Sequence, residues 1–282
     1  MRVRAFAKIN LSLRVLGRRA DGYHDLRTIF QSIALHDTLT IRRRAGAFAL
    51  TCDDPQCPTD RTNLVWRAAD DLWRAAGARG RARGIAIHLE KQIPMQAGLG
   101  GGSSDAAAAI RALGRLWRVP RTRQRAIAQA LGADIPYFFE GGTVLGLDRG
   151  DLLFPLADRP PMSVIVVVPG FGVSTKDAFA WHDAAARAGT AKRRRNGDAD
   201  AVGNDLEPVV ARRHPEIRRL VNEIRRAGAA EAAMSGSGAA VFGLFTHRTA
   251  AVRAARSLDR AGRRIILTRT LDRRAYQGLA AH

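Results

Sequence analysis

The chain has 282 residues, 46% hydrophobic and 26% charged, with a formal net charge of +20. A chain this long buries roughly 75% of its unfolded surface, and the composition is ordinary for a globular protein, so general disorder and a disulfide scaffold are excluded. No apolar run approaches the roughly 18 residues of a membrane span, and the basic start Met1–Lys8 lacks the apolar stretch of a secretory signal. A cytoplasmic protein without a membrane partner is therefore expected.

From Val3 to Val15 the residues alternate, with Ile9, Leu11, Leu13 and Val15 on one face and Lys8, Asn10, Ser12 and Arg14 on the other. That period predicts a half-buried strand. The stretch from Gly17 to Gly22 reads as a turn, Thr28–Leu35 and Thr38–Ile41 as two further strands, and Asn63–Ala76 as an amphipathic helix. Gly84–Lys91 alternates again and reads as a strand. A glycine-rich segment follows, and then helical spacing through Ala106, Ala109, Ile110, Leu113, Leu116 and Trp117. Arg121–Leu131 is a second helix, stopped by Gly132, and Ala133-Asp134-Ile135-Pro136 is a tight junction before the aromatic run Tyr137-Phe138-Phe139.

The polar, proline-containing stretch Asp148–Pro161 marks a domain boundary, giving domains of residues 1–155 and 156–282. Beyond it a buried strand at Ser163–Val168, helices near Thr175–Ala186 and Pro215–Arg226, and two short strands around Ser235-Gly236-Ser237-Gly238 are expected. A helix at Thr249–Arg260 and a strand at Arg263–Thr270 complete the chain. Apart from extra helix in the first crossover this is βαββαβ, a ferredoxin-like order in an α+β protein. The segment 191–201 reads as an exposed loop.

Cys52 and Cys57 are the only cysteines. Two thiols do not make a four-ligand zinc site, and the pair reads as free thiols of a polar turn. Only Lys8, Lys91, Lys176 and Lys192 are lysines; the other basic residues are arginines spread along the chain, a bias that reads as solvated surface. The charge also raises the possibility of a nucleic acid or an anionic substrate.

The strongest local signal is Gly98-Leu99-Gly100-Gly101-Gly102 between a strand and a helix. Such a loop lets backbone N–H groups approach an anion, and a helix N-terminus favours phosphate through its orphan donors and its dipole. Ser103 and Ser104 bring hydroxyls suited to Mg²⁺; the plain alternative is a flexible loop with ordinary capping. The chain has no Gly-Lys pair, which excludes a Walker A loop, and position 103 is serine where a dinucleotide fingerprint needs glycine.

The segment Pro94–Ala107 resembles motif 2 of the GHMP kinase superfamily, Ala7–Leu13 its motif 1, and Met234–Phe242 its motif 3, with Ser235 and Ser237 where threonine is common. Gly17–His24, Leu131–Pro136, Pro169–Thr175 and Asn204–Pro208 further resemble one branch, whose members phosphorylate a cytidine-diphosphate-linked sugar alcohol on the non-mevalonate route to isoprenoids. The resemblance implies ATP and Mg²⁺, an N-terminal α/β sandwich of a type also found in a ribosomal protein, a ferredoxin-like C-terminal domain, and an active site between them.

By the same resemblance Lys8 and Asp134 are the expected catalytic pair. Asn63, Leu64, Lys91, Pro94, Gly98, Leu99, Gly100, Gly101, Gly102, Ser103 and Ser104 are expected to meet the nucleotide, and Asn10, Tyr23, His24, Thr175 and Phe179 the acceptor; Asn63 also reads as a helix N-cap, Lys91 as a strand-end charge and Phe179 as a core residue. No role carries over to Asp148–Asp151, and no dedicated metal-ligand set is assigned. The expected partner is a small cytidine-diphosphate-linked polyol, with no nucleic acid, for a monomer or weak homodimer. The alternatives are a homoserine- or mevalonate-type kinase of the same superfamily and, in a different class, a basic RNA-binding protein.

Overall fold

A computed structural model of the chain describes residues 1–190 and 202–280; the loop expected at 191–201 lies outside them. The first half builds β1 (Arg2–Arg18), β2 (His24–Ala47), β3 (Ala49–Cys52), α1 (Leu64–Ala75), β4 (Arg83–Glu90) and α2 (Gly101–Leu116). It continues with α3 (Arg121–Leu131), α4 (Tyr137–Glu140), β5 (Thr143–Asp148) and β6 (Leu152–Pro155). The second half adds β7 (Ser163–Pro169), α5 (Thr175–Arg187), β8 (Gly203–Asn204), α6 (Glu207–Arg213) and α7 (Glu216–Arg226). Then come β9 (Glu231–Met234), β10 (Val241–Phe245), α8 (Arg248–Leu258), β11 (Arg263–Arg269) and α9 (Arg273–Ala280).

Two sheets pack face to face between two layers of helices. The larger runs β3-β4-β2-β1-β8, with β5 and β6 extending from β2; the smaller runs β11-β7-β10-β9, all antiparallel. The smaller sheet with its crossover helices is the βαββαβ unit read from the sequence. One apolar cluster joins Val65, Leu72, Ile110 and Leu113 of the helices to Leu39 and Ile87 of the larger sheet. A second joins Ile9, Leu11 and Ile33 to Val164, Val166 and Phe242 of the smaller. Helices α5–α8 cover the far face, packing Ala178, Val210, Leu220, Ile224 and Ala254 with Ile165 and Val167 of β7.

This layering corrects the reading of β1 as half-buried. Lys8, Asn10, Ser12 and Arg14 are all buried, because the strand is covered on both faces. Its pairing with β2 shifts register between Phe6 and Lys8, and a shift of one residue exchanges the faces of a strand. Val3 and Ala5 accordingly pack with the helices, whereas Ala7, Ile9 and Leu11 pack between the sheets. Lys8 and Asn10 are left on the side of the glycine loop.

Other expectations change as well. The two strands read at Thr28–Leu35 and Thr38–Ile41 are parts of one 24-residue strand, which exchanges partners along its length: β5 along Leu26–Gln31, β4 along Thr38–Ala47. The start of the Asp148–Pro161 stretch is the β5–β6 hairpin, whose apolar Leu152 and Phe154 are exposed. The aromatic run is the helical turn α4, with Tyr137 and Phe138 buried. Helix α9 is additional to the expected elements; it returns to β1 and buries Tyr276 against Phe6, 5.6 Å between ring centroids.

Candidate active site

Between the glycine loop, the middle of β1 and the start of α5 lies a cleft of about 620 Å³. The loop is fixed from both sides. The Lys8 N–H donates to Leu99 O (3.0 Å), the Ala240 N–H to Ala97 O (3.2 Å), and the Ser235 hydroxyl to Gly98 O (2.9 Å). Gly98 has φ +75°, and a Cβ there would lie 2.1 Å from Ser235 O; Gly100 has φ +72° and would press on Phe138 and on the stem of Lys8. These glycines are required by close approach as well as by dihedral.

Helix α2 begins at Gly101 with Gly100 as its N-cap and no side-chain cap. Its first backbone bond runs from the Ser104 N–H to Gly100 O. The N–H groups of Gly101, Gly102 and Ser103 are therefore orphan donors at the positive end of the helix dipole, and their residues line the cleft. A helix start of this kind favours an anion.

The same cleft holds a charged pair beside the loop. Lys8 Nζ donates to Asn10 Oδ1 (2.7 Å) and lies 3.4 Å from Asp134 Oδ2. Asn10 is held in turn, its amide donating to Thr28 Oγ1 (2.7 Å) and its backbone N–H to Ser235 Oγ (3.3 Å). The ammonium is 4% exposed and the carboxylate 37%, so the cation is fixed inside the wall and the carboxylate faces the cleft. Leu64, Pro94, Leu99, Thr175 and Phe179 share this wall, and Thr175 Oγ1 lies 3.0 Å from Ser237 Oγ.

The family model described as GHMP kinases N terminal domain matches residues 63–142, and that described as GHMP kinases C terminal matches residues 185–264. The 4-diphosphocytidyl-2-C-methyl-D-erythritol kinase of Pelotomaculum thermopropionicum is 40% identical, over 96% of this chain and 98% of its own. That of Solibacter usitatus is 44% identical, over 89% and 83%. A crystal structure of 4-(cytidine 5'-diphospho)-2C-methyl-D-erythritol kinase superposes with TM-score 0.76 at 35% identity, covering 96% of this chain and 99% of that one.

The chain belongs to the 4-diphosphocytidyl-2-C-methyl-D-erythritol kinase family of GHMP kinases. A homoserine kinase from Cytophaga hutchinsonii (TM-score 0.67, 18% identity, covering 96% of this chain and 95% of that one) shares the fold alone.

In this GHMP kinase several residues stand elsewhere than the sequence placed them. Ser104 turns its hydroxyl away from the cleft and donates to Phe6 O (2.7 Å), because one step along a helix turns a side chain by about 100°. Asn63 lies outside the cleft wall and is spent on the fold: its Oδ1 caps α1 at the Val65 N–H (2.9 Å) and its amide donates to Pro58 O (2.7 Å).

Lys91 reaches the cleft's edge with its ammonium already committed to Asp37 and, at 2.7 Å, to Asp105. Burial opposes the charge on Lys91, but the two carboxylates outweigh it and hold its pKa above the ordinary lysine range. Burial and the neighbouring Asp37 push Asp105 up to about 7, against the opposing pull of Lys91. Asp37 also accepts the Gln92 and Ile93 N–H groups (2.6 and 2.8 Å), so this triad braces the entry to the glycine loop.

Tyr23 and His24 stand behind the part of the cleft wall that Phe179 and Arg149 line. Tyr23 is 55% exposed, with the Arg149 guanidinium 5.2 Å from its ring centroid, and it is Arg149 that lines the cleft. His24 stacks on Phe179 at 4.6 Å and its Nε2 lies 2.7 Å from Asp183 Oδ1. Sequence reasoning missed Thr28, Asp37, Arg149 and Asn204. The Asn204 amide donates to Met234 O and Gly236 O and so holds the second glycine turn; only its place in the Asn204–Pro208 segment hinted at it. Cys52 and Cys57 are free thiols, Cys57 buried, and burial pushes the Cys52 thiol up to about 12.

Proposed function

We propose that this chain transfers the γ-phosphoryl group of ATP to the 2-hydroxyl of 4-diphosphocytidyl-2-C-methyl-D-erythritol, the acceptor for which its relatives are named. The observation that carries the reading is that the Lys8–Asp134 pair and the uncapped N-terminus of α2 line one cleft. Phosphoryl transfer asks mainly for positioning and charge stabilisation. The N–H groups of Gly101, Gly102 and Ser103 hold the phosphates. Asp134 takes the proton of the acceptor hydroxyl as its oxygen bonds to phosphorus. The bond from phosphorus to the β–γ bridging oxygen breaks and ADP leaves. Lys8, fixed by Asn10, offsets negative charge on the attacking oxygen and the moving group.

Mg²⁺ belongs to the same reading. It binds proteins through one or two oxygen groups, with phosphates and waters completing its shell. The described residues contain no cluster of three or more His, Cys, Asp or Glu suited to a metal, but the Ser103 hydroxyl and the Asp134 carboxylate share the cleft. That sparse set fits a nucleotide-borne Mg²⁺, which supplies charge neutralisation on the phosphates. We assign the cleft to the boundary of domains 1–155 and 156–282. The assignment extends to a cytoplasmic monomer or weak homodimer without nucleic-acid partners. Among the described residues no helix is long and apolar enough to cross a membrane.

An enzyme-linked ADP-release assay over a panel of acceptors tests the assignment. Turnover is expected with the cytidyl acceptor and not with homoserine or mevalonate; the reverse pattern would reassign the substrate within the superfamily.

A further inference from the structure

On the other side of α2 lies a second cavity of about 630 Å³, as large as the active-site cleft. Seven arginines line it, and no aspartate or glutamate does. Arg2 pairs with Glu90 (2.8 Å) and Arg125 with Glu140 (2.7 Å), both carboxylates standing outside the wall. Arg4, Arg111, Arg115, Arg118 and Arg121 form no ion pair among the described residues. Of the other polar side chains of the wall, Ser104 is spent on Phe6 O, Gln124 on Val119 O, Tyr276 on Phe138 O and the more exposed Gln277 on Glu140 O.

Of the two helix ends at the cavity, one offsets part of this charge and the other adds to it. Arg115 sits in the last turn of α2, where a cation suits the dipole. Arg121 opens α3, whose first turn contains no acidic residue and whose N-terminus has no side-chain cap. Its orphan N–H groups and positive dipole end therefore add to the guanidinium charge. Five unneutralised cations and an uncapped helix start around one concavity repel one another, and a concave wall of one sign concentrates counter-ions. An anion relieves all of these at once.

We propose that this cavity is a binding site for a small polyanion of the diphosphate class. Guanidinium forks match phosphate oxygens in pairs, and several of them set around a cavity suit a ligand with two linked phosphates better than a single one. Val119, Phe138 and Phe139 give part of the wall an apolar surface, so a short alkyl diphosphate fits as well as the inorganic ion. The site is separate from the catalytic cleft: α2 supplies Gly101–Ser103 to one and Ser104, Arg111 and Arg115 to the other.

The test is titration calorimetry with inorganic pyrophosphate at about 0.15 M salt, where exposed charges are screened beyond roughly 8 Å. Three proteins are compared: the wild type, Gly102→Val to obstruct the cleft, and Arg115→Gln/Arg121→Gln, two exposed positions where the fold is not at risk. Gly102→Val should keep a saturable pyrophosphate site. The double arginine variant should bind at that site at least tenfold more weakly, with kcat and the KM for ATP unchanged. Parallel titrations with orthophosphate and a short alkyl diphosphate show whether two phosphates are needed and whether the apolar wall contributes. Loss of all saturable binding in Gly102→Val, no effect of the arginine substitutions, or capture of a short RNA by these arginines without pyrophosphate binding would each overturn the proposal.

Discussion

Lys8 Nζ lies 3.4 Å from Asp134 Oδ2, and the two groups differ sharply in their access to solvent, 4% against 37% for the side chains. The ammonium is held by Asn10 inside the wall, while the carboxylate remains open to the cleft. A fixed cation beside an accessible carboxylate suits a base whose conjugate substrate anion must be stabilised as it forms.

The glycine loop separates a folding role from a binding role. At Gly98 a Cβ meets Ser235 O at 2.1 Å on a backbone with φ +75°, so Gly98→Ala should lose on the order of 2–5 kcal/mol of stability. At Gly102 the dihedral is not left-handed and nothing lies within 4 Å of a Cβ. Gly102→Val should therefore melt near the wild type while its KM for ATP rises about ten- to a hundredfold, the value of one or more charge-assisted bonds. Thermal melts and ATP kinetics on both variants check this; unchanged ATP kinetics in Gly102→Val would contradict phosphate binding at the start of α2.

Acceptor selectivity should depend on Phe179 more than on Tyr23. Phe179 lines the cleft with His24 stacked behind it, whereas Tyr23 is exposed beyond the wall. If Phe179 receives the cytosine, Phe179→Ala raises the acceptor KM about ten- to a hundredfold, as expected for losing one stacked base, and leaves the KM for ATP alone. Tyr23→Ala should have the smaller effect. Kinetics with the cytidyl acceptor and its uridine analogue measure both; a larger loss in Tyr23→Ala would place the base on the turn instead.

The buried triad has a pH signature. Asp105 carries a folded-state pKa of about 7 against an ordinary 3.8, chiefly through burial and Asp37. Between those values the folded chain holds a proton that the unfolded chain has released, so this group's contribution is complete below about pH 4 and is lost as the pH rises through 7. Asp105→Asn removes that titration. Its stability relative to the wild type should improve as the pH rises from 4 to 7 and then level off, which urea unfolding at stepped pH will show. A relative stability that stays flat across this range would mean that Asp105 titrates normally. Lys91→Met should be far more damaging, by about 3–5 kcal/mol, since it leaves two buried carboxylates without their cation.

Legibility in the sequence followed the range of the interactions. Most of the strands and helices and the glycine loop were readable because period and turn chemistry act locally, whereas the short β3, β6 and β8 and the strand β5 were not. The motifs singled out Lys8, Asn10 and Asp134, which the structure brings into contact, but not the register shift that aims Lys8 at the loop. The opposite orientations of Ser103 and Ser104 depend on where α2 starts, at Gly101. Asp37 escaped notice because its partner Lys91 is 54 positions away. The same distance effect hid the return of α9 to β1, and with it the wall that Tyr276 gives the second cavity.

Turnover of Asp134→Asn, measured alongside ATP affinity on the same protein, tests the central claim most directly. The amide keeps the shape of the side chain but accepts no proton, so kcat should fall on the order of 10²–10⁴, with the Kd for ATP unchanged if the N-terminus of α2 holds the phosphates. Turnover like that of the wild type would show that Asp134 takes no part in the proton transfer and would contradict the account.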